Sequence, residues 1–151
     1  DGSQAAIRRY NRITRVNELL TDSVVSPRDV AVSHSLGKVY WIDIGDGFAV
    51  ARWTYDDSEL RPGGYISGPR LFGVADMAFW ISTFTVDGLE PMTVTSEMSI
   101  RFLRPARHGN VIARADIDSV GRRRIVATVR VWIEGDEDRL VAVAQGSYAR
   151  P

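Results

Sequence analysis

Between Leu71 and Phe84 apolar residues follow one another almost without interruption, the pattern of a helix buried around most of its circumference. Ser67 stands where it would cap the first turn, and Pro69 falls where a missing N–H costs nothing. The spacing therefore predicts a helix over 68–86, stopped by Asp87-Gly88. Downstream the period changes to two, most clearly in VIARADIDSV and RIVATVRVWI, and residues 92–103, 110–120, 123–133 and 140–148 read as strands. Their connections at 104–109, Gly121-Arg122 and 134–139 fit hairpins or short loops. Upstream, strand-like pieces at 39–44 and 48–55 flank the turn signal Gly45-Asp46-Gly47. Residues 21–38, rich in Ser, Asp and Pro, read as a loop with a short strand at 30–33. Over 6–20, Ile7, Tyr10, Ile13 or Thr14, Asn17 and Leu20 recur at three- and four-residue steps among arginines, which predicts an amphipathic surface helix.

One long apolar helix followed by four antiparallel strands and preceded by one or two more implies a strongly curved sheet wrapped on a central helix, an α+β architecture. The expected organisation is an N-terminal helix and loop over 1–35 and a single domain over 36–151. A chain of 151 residues is long enough to bury roughly 70% of its unfolded surface without staples. No apolar run approaches a membrane span, and the opening DGSQAAIRRY has no signal core, so a cytoplasmic protein is the default expectation.

Composition narrows the chemistry. There is no cysteine, and the only imidazoles are His34 and His108, far apart and without flanking ligands, so no metal site is expected. Basic and acidic residues balance at 19 each, which together with the absence of a nucleic-acid motif argues against nucleic acid as partner. The balance hides a local basic zone: residues 101–130 hold eight Arg against Asp116 and Asp118.

Asp76 is the sharpest residue in the sequence. A carboxylate set among Phe72, Val74, Met77, Phe79 and Trp80 either finds partners and acts as a base or nucleophile, or lies on a solvent-facing edge of the helix. Gly68 would put backbone donors and the positive end of the helix dipole beside a developing oxyanion, or would only permit the turn. Pro69 cannot donate. Ser67 reads as an N-cap; a triad drawing on distant His34 or His108 lacks the nucleophile-elbow motif. Arginines at 101, 104, 107, 122, 123 and 124 fall at strand ends and turns, where they could grip phosphates or simply form a solvated face.

The ordered set Gly63-Gly64, Ser67-Gly68-Pro69, LFGVADMA (71–78), VTSEMSIRFLRPA (94–106), Gly109, Gly121-Arg122 and VAVAQGSYA (141–149) resembles the hotdog-fold acyl-CoA thioesterases of PaaI-like type over about residues 36–149. The resemblance implies a hotdog fold dimerised edge to edge, with pairing of dimers into a tetramer left open, and hydrolysis of acyl-CoA thioesters with no cofactor beyond the CoA of the substrate. It implies Asp76 as general base or nucleophile, Gly68 N–H from the partner subunit as the group polarising the carbonyl, and Thr95 as the hydroxyl that places water. Ser67 stands where the family has His, and Arg61 where many members have Asn. Candidate substrate-binding residues are Ser67, Arg61, Phe72, Phe79, Trp80, Arg104, Arg122 and Arg123. The rival readings are a hotdog protein that binds acyl-CoA without turnover and, less favoured because no histidine stands in the helix or its lead-in, an enoyl-CoA hydratase or dehydratase.

Overall fold

The computed structural model describes the backbone of residues 5–11, 16–24, 32–33, 38–39, 41–88, 90 and 92–151, with side chains from Asp46 onward. Twelve strands and one α-helix follow in the order β1 (Ala5–Asn11), β2 (Val16–Val24), β3 (Val32–Ser33), β4 (Lys38–Val39), β5 (Trp41–Gly45), β6 (Phe48–Trp53), β7 (Leu60–Arg61), β8 (Tyr65–Ile66), α1 (Gly68–Asp87), β9 (Val94–Phe102), β10 (Val111–Val120), β11 (Arg124–Ile133) and β12 (Ala142–Ala149). A six-stranded antiparallel sheet runs β5-β6-β10-β11-β12-β9.

Helix α1 crosses one face of this sheet. Leu71, Val74, Ala75, Ala78 and Phe79 bury themselves against Ala51, Ala113, Ala115, Ala127 and Val129. Alanine at so many inward positions of the sheet lets the helix backbone approach closely, while Trp53, Ile125 and Tyr148 fill the space at its flanks. Along β11 every second residue from Ile125 to Val131 is fully buried, the signature of a sheet with one face on a core. The three hydroxyl residues near the end of α1 are satisfied locally: Ser82, Thr83 and Thr85 each donate to the carbonyl three residues back, at 2.6–2.7 Å. The helix begins as the sequence predicts, with Ser67 as N-cap accepting from Arg70 N–H at 3.3 Å, and ends on Gly88 at φ 72°.

One expectation fails. The amphipathic helix over 6–20 is replaced by an antiparallel pair, β1 with β2, in a register that sets Arg8 opposite Leu19 and Asn11 opposite Val16. Ile7, Tyr10, Val16, Thr21 and Val24 are β-branched or aromatic types that favour extended backbone, and a three-to-four spacing over so short a stretch does not outweigh them. Residues 12–15 and much of 25–37 lie outside the described residues. Of the two readings of 104–109, hairpin or short loop, the structure takes the loop. β9 and β10 are not neighbours; β9 lies beyond β12 at the sheet edge. The connection between them is tied to other segments, with Leu103 N–H donating to Val141 O and Ile66 N–H donating to Ala106 O, each at 2.9 Å. Pro105 within it can donate no ladder bond. The strand expected over 39–44 appears as β4 and β5, on either side of residue 40.

Candidate active site

Three elements converge on Asp76. The helix supplies Gly73, Asp76, Met77 and Trp80, which at spacings of three and four share one flank of α1 and leave the core stripe of Leu71, Val74, Ala75 and Ala78 to the sheet. This flank forms one wall of an open cleft of about 420 Å³. Val94 and Thr95 of β9 and Tyr148 of β12 form the other. Asp76 is half-buried there, neither drowned in the core nor free on a surface.

A bulge in β9 decides which side chains reach the carboxylate. The β12–β9 register pairs Ala144 with Ile100, Gly146 with Met98 and Ser147 with Glu97, then slips so that Tyr148 faces Thr95 and Ser96 is left over. Without the slip Ser96 would oppose Tyr148; the extra residue turns Thr95 inward instead. Thr95 Oγ1 donates to Asp76 Oδ1 at 3.0 Å and Tyr148 OH donates to the same oxygen at 2.5 Å, lying also 3.2 Å from the Asp76 carbonyl. Burial pushes the Tyr148 phenol far above its usual range, donation to Asp76 raises it further, and the neighbouring Thr95 hydroxyl only partly offsets this. Tyr148 is therefore a donor and never a base at ordinary pH. Among the described residues Asp76 Oδ2 carries no hydrogen bond, so one oxygen is held and the other is bare.

Sequence reasoning singled out Asp76 and Thr95, and the structure brings them together. It overlooked Tyr148. The readable signal was inward parity in VAVAQGSYA: Ala142, Ala144 and Gly146 face the core, so the phenol at 148 does too. Thr93, buried to 2% exposure with an unpartnered Oγ1, also lines the cleft and was not foreseen.

The remaining candidates disperse. Trp80 lines the Asp76 cleft, but Phe79 is fully buried with its ring 4.5 Å from that of Tyr148, and Phe72 is half-buried outside the cleft. Gly68, Arg61 and Arg104 line a second cleft of about 570 Å³ at the start of α1, with Tyr65, Leu71 and Phe102. Gly68 is the first helical residue, so its N–H has no acceptor within the helix. The Ser67 hydroxyl is engaged as the cap. Arg104 donates to Leu140 O at 2.8 Å, and Arg107 packs over the Tyr65 ring. Arg122 lies at the far end of α1 in a pocket with Asp87 and Arg150, and the Arg123 carbonyl accepts from Arg150 N–H nearby. A 20-residue helix is about 30 Å long, so the Arg61–Arg104 and Arg122–Arg123 pairs of one chain cannot grip the same phosphate. No three His, Cys, Asp or Glu side chains among the described residues form a metal-holding group, and no described helix is long and apolar enough to cross a membrane.

The family model of the thioesterase superfamily matches residues 63–139, which include the helix with Asp76 and the three strands that follow, and stop short of β12 and Tyr148. A Saccharolobus solfataricus protein described as an esterase, SSO1253, is 24% identical over 136 residues, covering 90% of this chain and 83% of its own length. Among solved structures, the conserved protein PA5202 of Pseudomonas aeruginosa superposes with a TM-score of 0.71 at 28% identity, over 80% of this chain and 95% of that one. The E. coli PaaI protein from the phenylacetic acid degradation operon superposes at 0.66 with 29% identity, over 77% of this chain and 85% of its own. A bare carboxylate oxygen in a cleft, carried on the helix of a curved sheet, accords with these matches: the chain belongs to the thioesterase superfamily, as a hydrolase of hotdog fold similar to the PaaI proteins.

Proposed function

We propose that the protein hydrolyses acyl-CoA thioesters, with Asp76 as the group that activates water. The observation that carries this reading is the asymmetry of the carboxylate, held through Oδ1 by Thr95 and Tyr148 and bare at Oδ2 beside a cleft. Oδ2 takes a proton from water as the water oxygen attacks the thioester carbon. The oxyanion so formed is met by a backbone N–H, the C–S bond breaks, and CoA leaves as thiolate. The acyl group lies along Met77 and Trp80.

The backbone donor is Gly68 of a second copy. Within one chain Gly68 and Asp76 are eight residues apart on α1, about 12 Å along the axis, too far to act on one carbonyl. The β9 edge suits pairing with that copy: no described strand covers it, and Met92, Val94, Phe102 and Leu103 are 49–67% exposed along it.

Free-thiol release over short, medium, long and aromatic acyl-CoAs tests the reading, with Asp76→Asn beside the wild type. The expected result is turnover that falls by roughly a hundredfold or more in the variant, within the range for loss of a general base. Equal rates in both proteins exclude Asp76 as the base. Saturable CoA-thioester binding without thiol release replaces the reading with that of a binding protein.

A further inference from the structure

We propose that Tyr148 is a positioning residue for Asp76: with Thr95 it fixes Oδ1, so that Oδ2 alone is presented to the substrate. This rests on the thioesterase reading above and adds a residue to it. The argument begins with the backbone. A Cβ placed on Gly146 would come within 2.4 Å of Glu97 O, so β12 and β9 are pressed together two residues before Tyr148, and the bulge at Ser96 follows at once. The strand that bears Thr95 and the strand that bears Tyr148 are thus locked in one register.

The Tyr148 ring is equally fixed. It is 2% exposed and tilts against Phe79, itself fully buried and three residues along α1 from Asp76. A hydroxyl on a free side chain would follow a moving carboxylate; this one stays where the core holds it, and its 2.5 Å bond draws Asp76 to one rotamer. Of the residues lining the cleft, only Asp76 and Tyr148 titrate, so no other charge there competes for this role. Thr95, half the pair, is exposed on an edge strand, and the buried phenol supplies the rigidity that the threonine lacks.

Tyr148→Phe keeps the ring and removes only the donor. We expect kcat to fall roughly tenfold, at the lower end of what loss of a charge-assisted hydrogen bond brings. KM should remain within about twofold, as for a group that acts on the transition state rather than on binding. A purely structural role would lower the melting temperature and leave kcat within twofold of wild type. A kcat within twofold of wild type overturns the proposal, as does a change confined to KM.

Asp76→Asn separates the two readings. If it retains full activity, the thioesterase assignment to Asp76 fails whatever Tyr148 does; if it is inactive while Tyr148→Phe matches wild type, only the present inference fails. Should Tyr148→Phe not fold, or wild type show no turnover, the contact is read from its other end by alkaline ultraviolet titration. The Tyr148 phenol should ionise at lower pH in Asp76→Asn than in wild type, and coincident titrations overturn the proposal.

Discussion

Gly68 and Asp76 share one helix yet point into different clefts, the first at its start beside Arg61 and Arg104, the second two turns on beside Thr95 and Tyr148. Neither half is a complete hydrolytic site. The Gly68 end offers an unbonded N–H and the helix dipole but no carboxylate among the residues lining it, and the Asp76 end offers the reverse. On the function proposed above, the separation makes the pairing of two copies part of the chemistry rather than an accessory to it.

The same reading assigns the pairing to the β9 edge, which no described strand covers. Val94→Lys together with Leu103→Lys puts two charges among the exposed apolar residues of that edge, at positions where each side chain is about half exposed. The double variant is expected to sediment as a monomer with unchanged circular dichroism, and to lose roughly a hundredfold in rate, the cost of removing one oxyanion donor. A variant that stays dimeric, or a monomer with full activity, would place the interface or the donor elsewhere.

Whether Oδ2 takes a proton or attacks the thioester directly is a question of where oxygen travels. In the water-activating route, a single turnover in oxygen-18 water labels the released acid at once. In the nucleophilic route the first turnover places the label in Asp76 when water cleaves the anhydride at the side-chain carbon. Mass spectrometry of product and of the Asp76 peptide distinguishes them, and the expected result is label in the acid alone. The bonds to Oδ1 favour this outcome, since two donors reduce the nucleophilicity of the carboxylate they hold.

Ser67 stands where the resembling family has histidine, and its hydroxyl accepts from Arg70 N–H in the first turn of α1. A cap of this kind contributes about 1 kcal/mol. Ser67→Ala should therefore lower the melting temperature by roughly 2–4 °C for a chain of this size and leave kcat within about twofold. A loss of turnover comparable with that of Asp76→Asn would make the hydroxyl a participant in the reaction.

How much of this was legible in the sequence follows from where the information lies. Helix α1 was readable because its limits are local: Ser67 caps it, Pro69 sits in its first turn, and Gly88 adopts the positive φ that ends it. The alternation of Ile125, Ala127, Val129 and Val131 likewise reports one buried face without reference to any other strand. Pairing order is not local. Nothing within 104–109 says that β9 joins β12 across the sheet rather than β10, because that choice depends on β11 having already taken the inner edge of β10. The N-terminal pair β1–β2 shows the same limit, since a spacing that suits a helix is overruled by partners found in another segment. At the site, Asp76 stood out because a charge in an apolar run is a local anomaly. Tyr148 did not, because a tyrosine in a strand is ordinary until a bulge on its neighbour sets a hydroxyl opposite it.

Gly146 is the position where that long-range arrangement is most exposed to a single change. Its backbone φ is ordinary, so the requirement for glycine is one of space: any Cβ meets Glu97 O at 2.4 Å and Met98 Cα at 3.0 Å, both main-chain atoms that cannot rotate away. Gly146→Ala must push β9 from β12, and overpacking of this kind costs about 1–3 kcal/mol. The displaced strand carries Thr95, and the same shift reaches Tyr148 two residues on, so both donors to Asp76 move together. The expected outcome is a folded protein with a lower melting temperature and a loss of kcat at least as large as that of Tyr148→Phe, although residue 146 does not line the Asp76 cleft. Destabilisation with kcat intact would mean that the register at Ser96 survives the displacement. The bulge, rather than the close approach at Gly146, would then be what holds the pair of hydroxyls on the carboxylate.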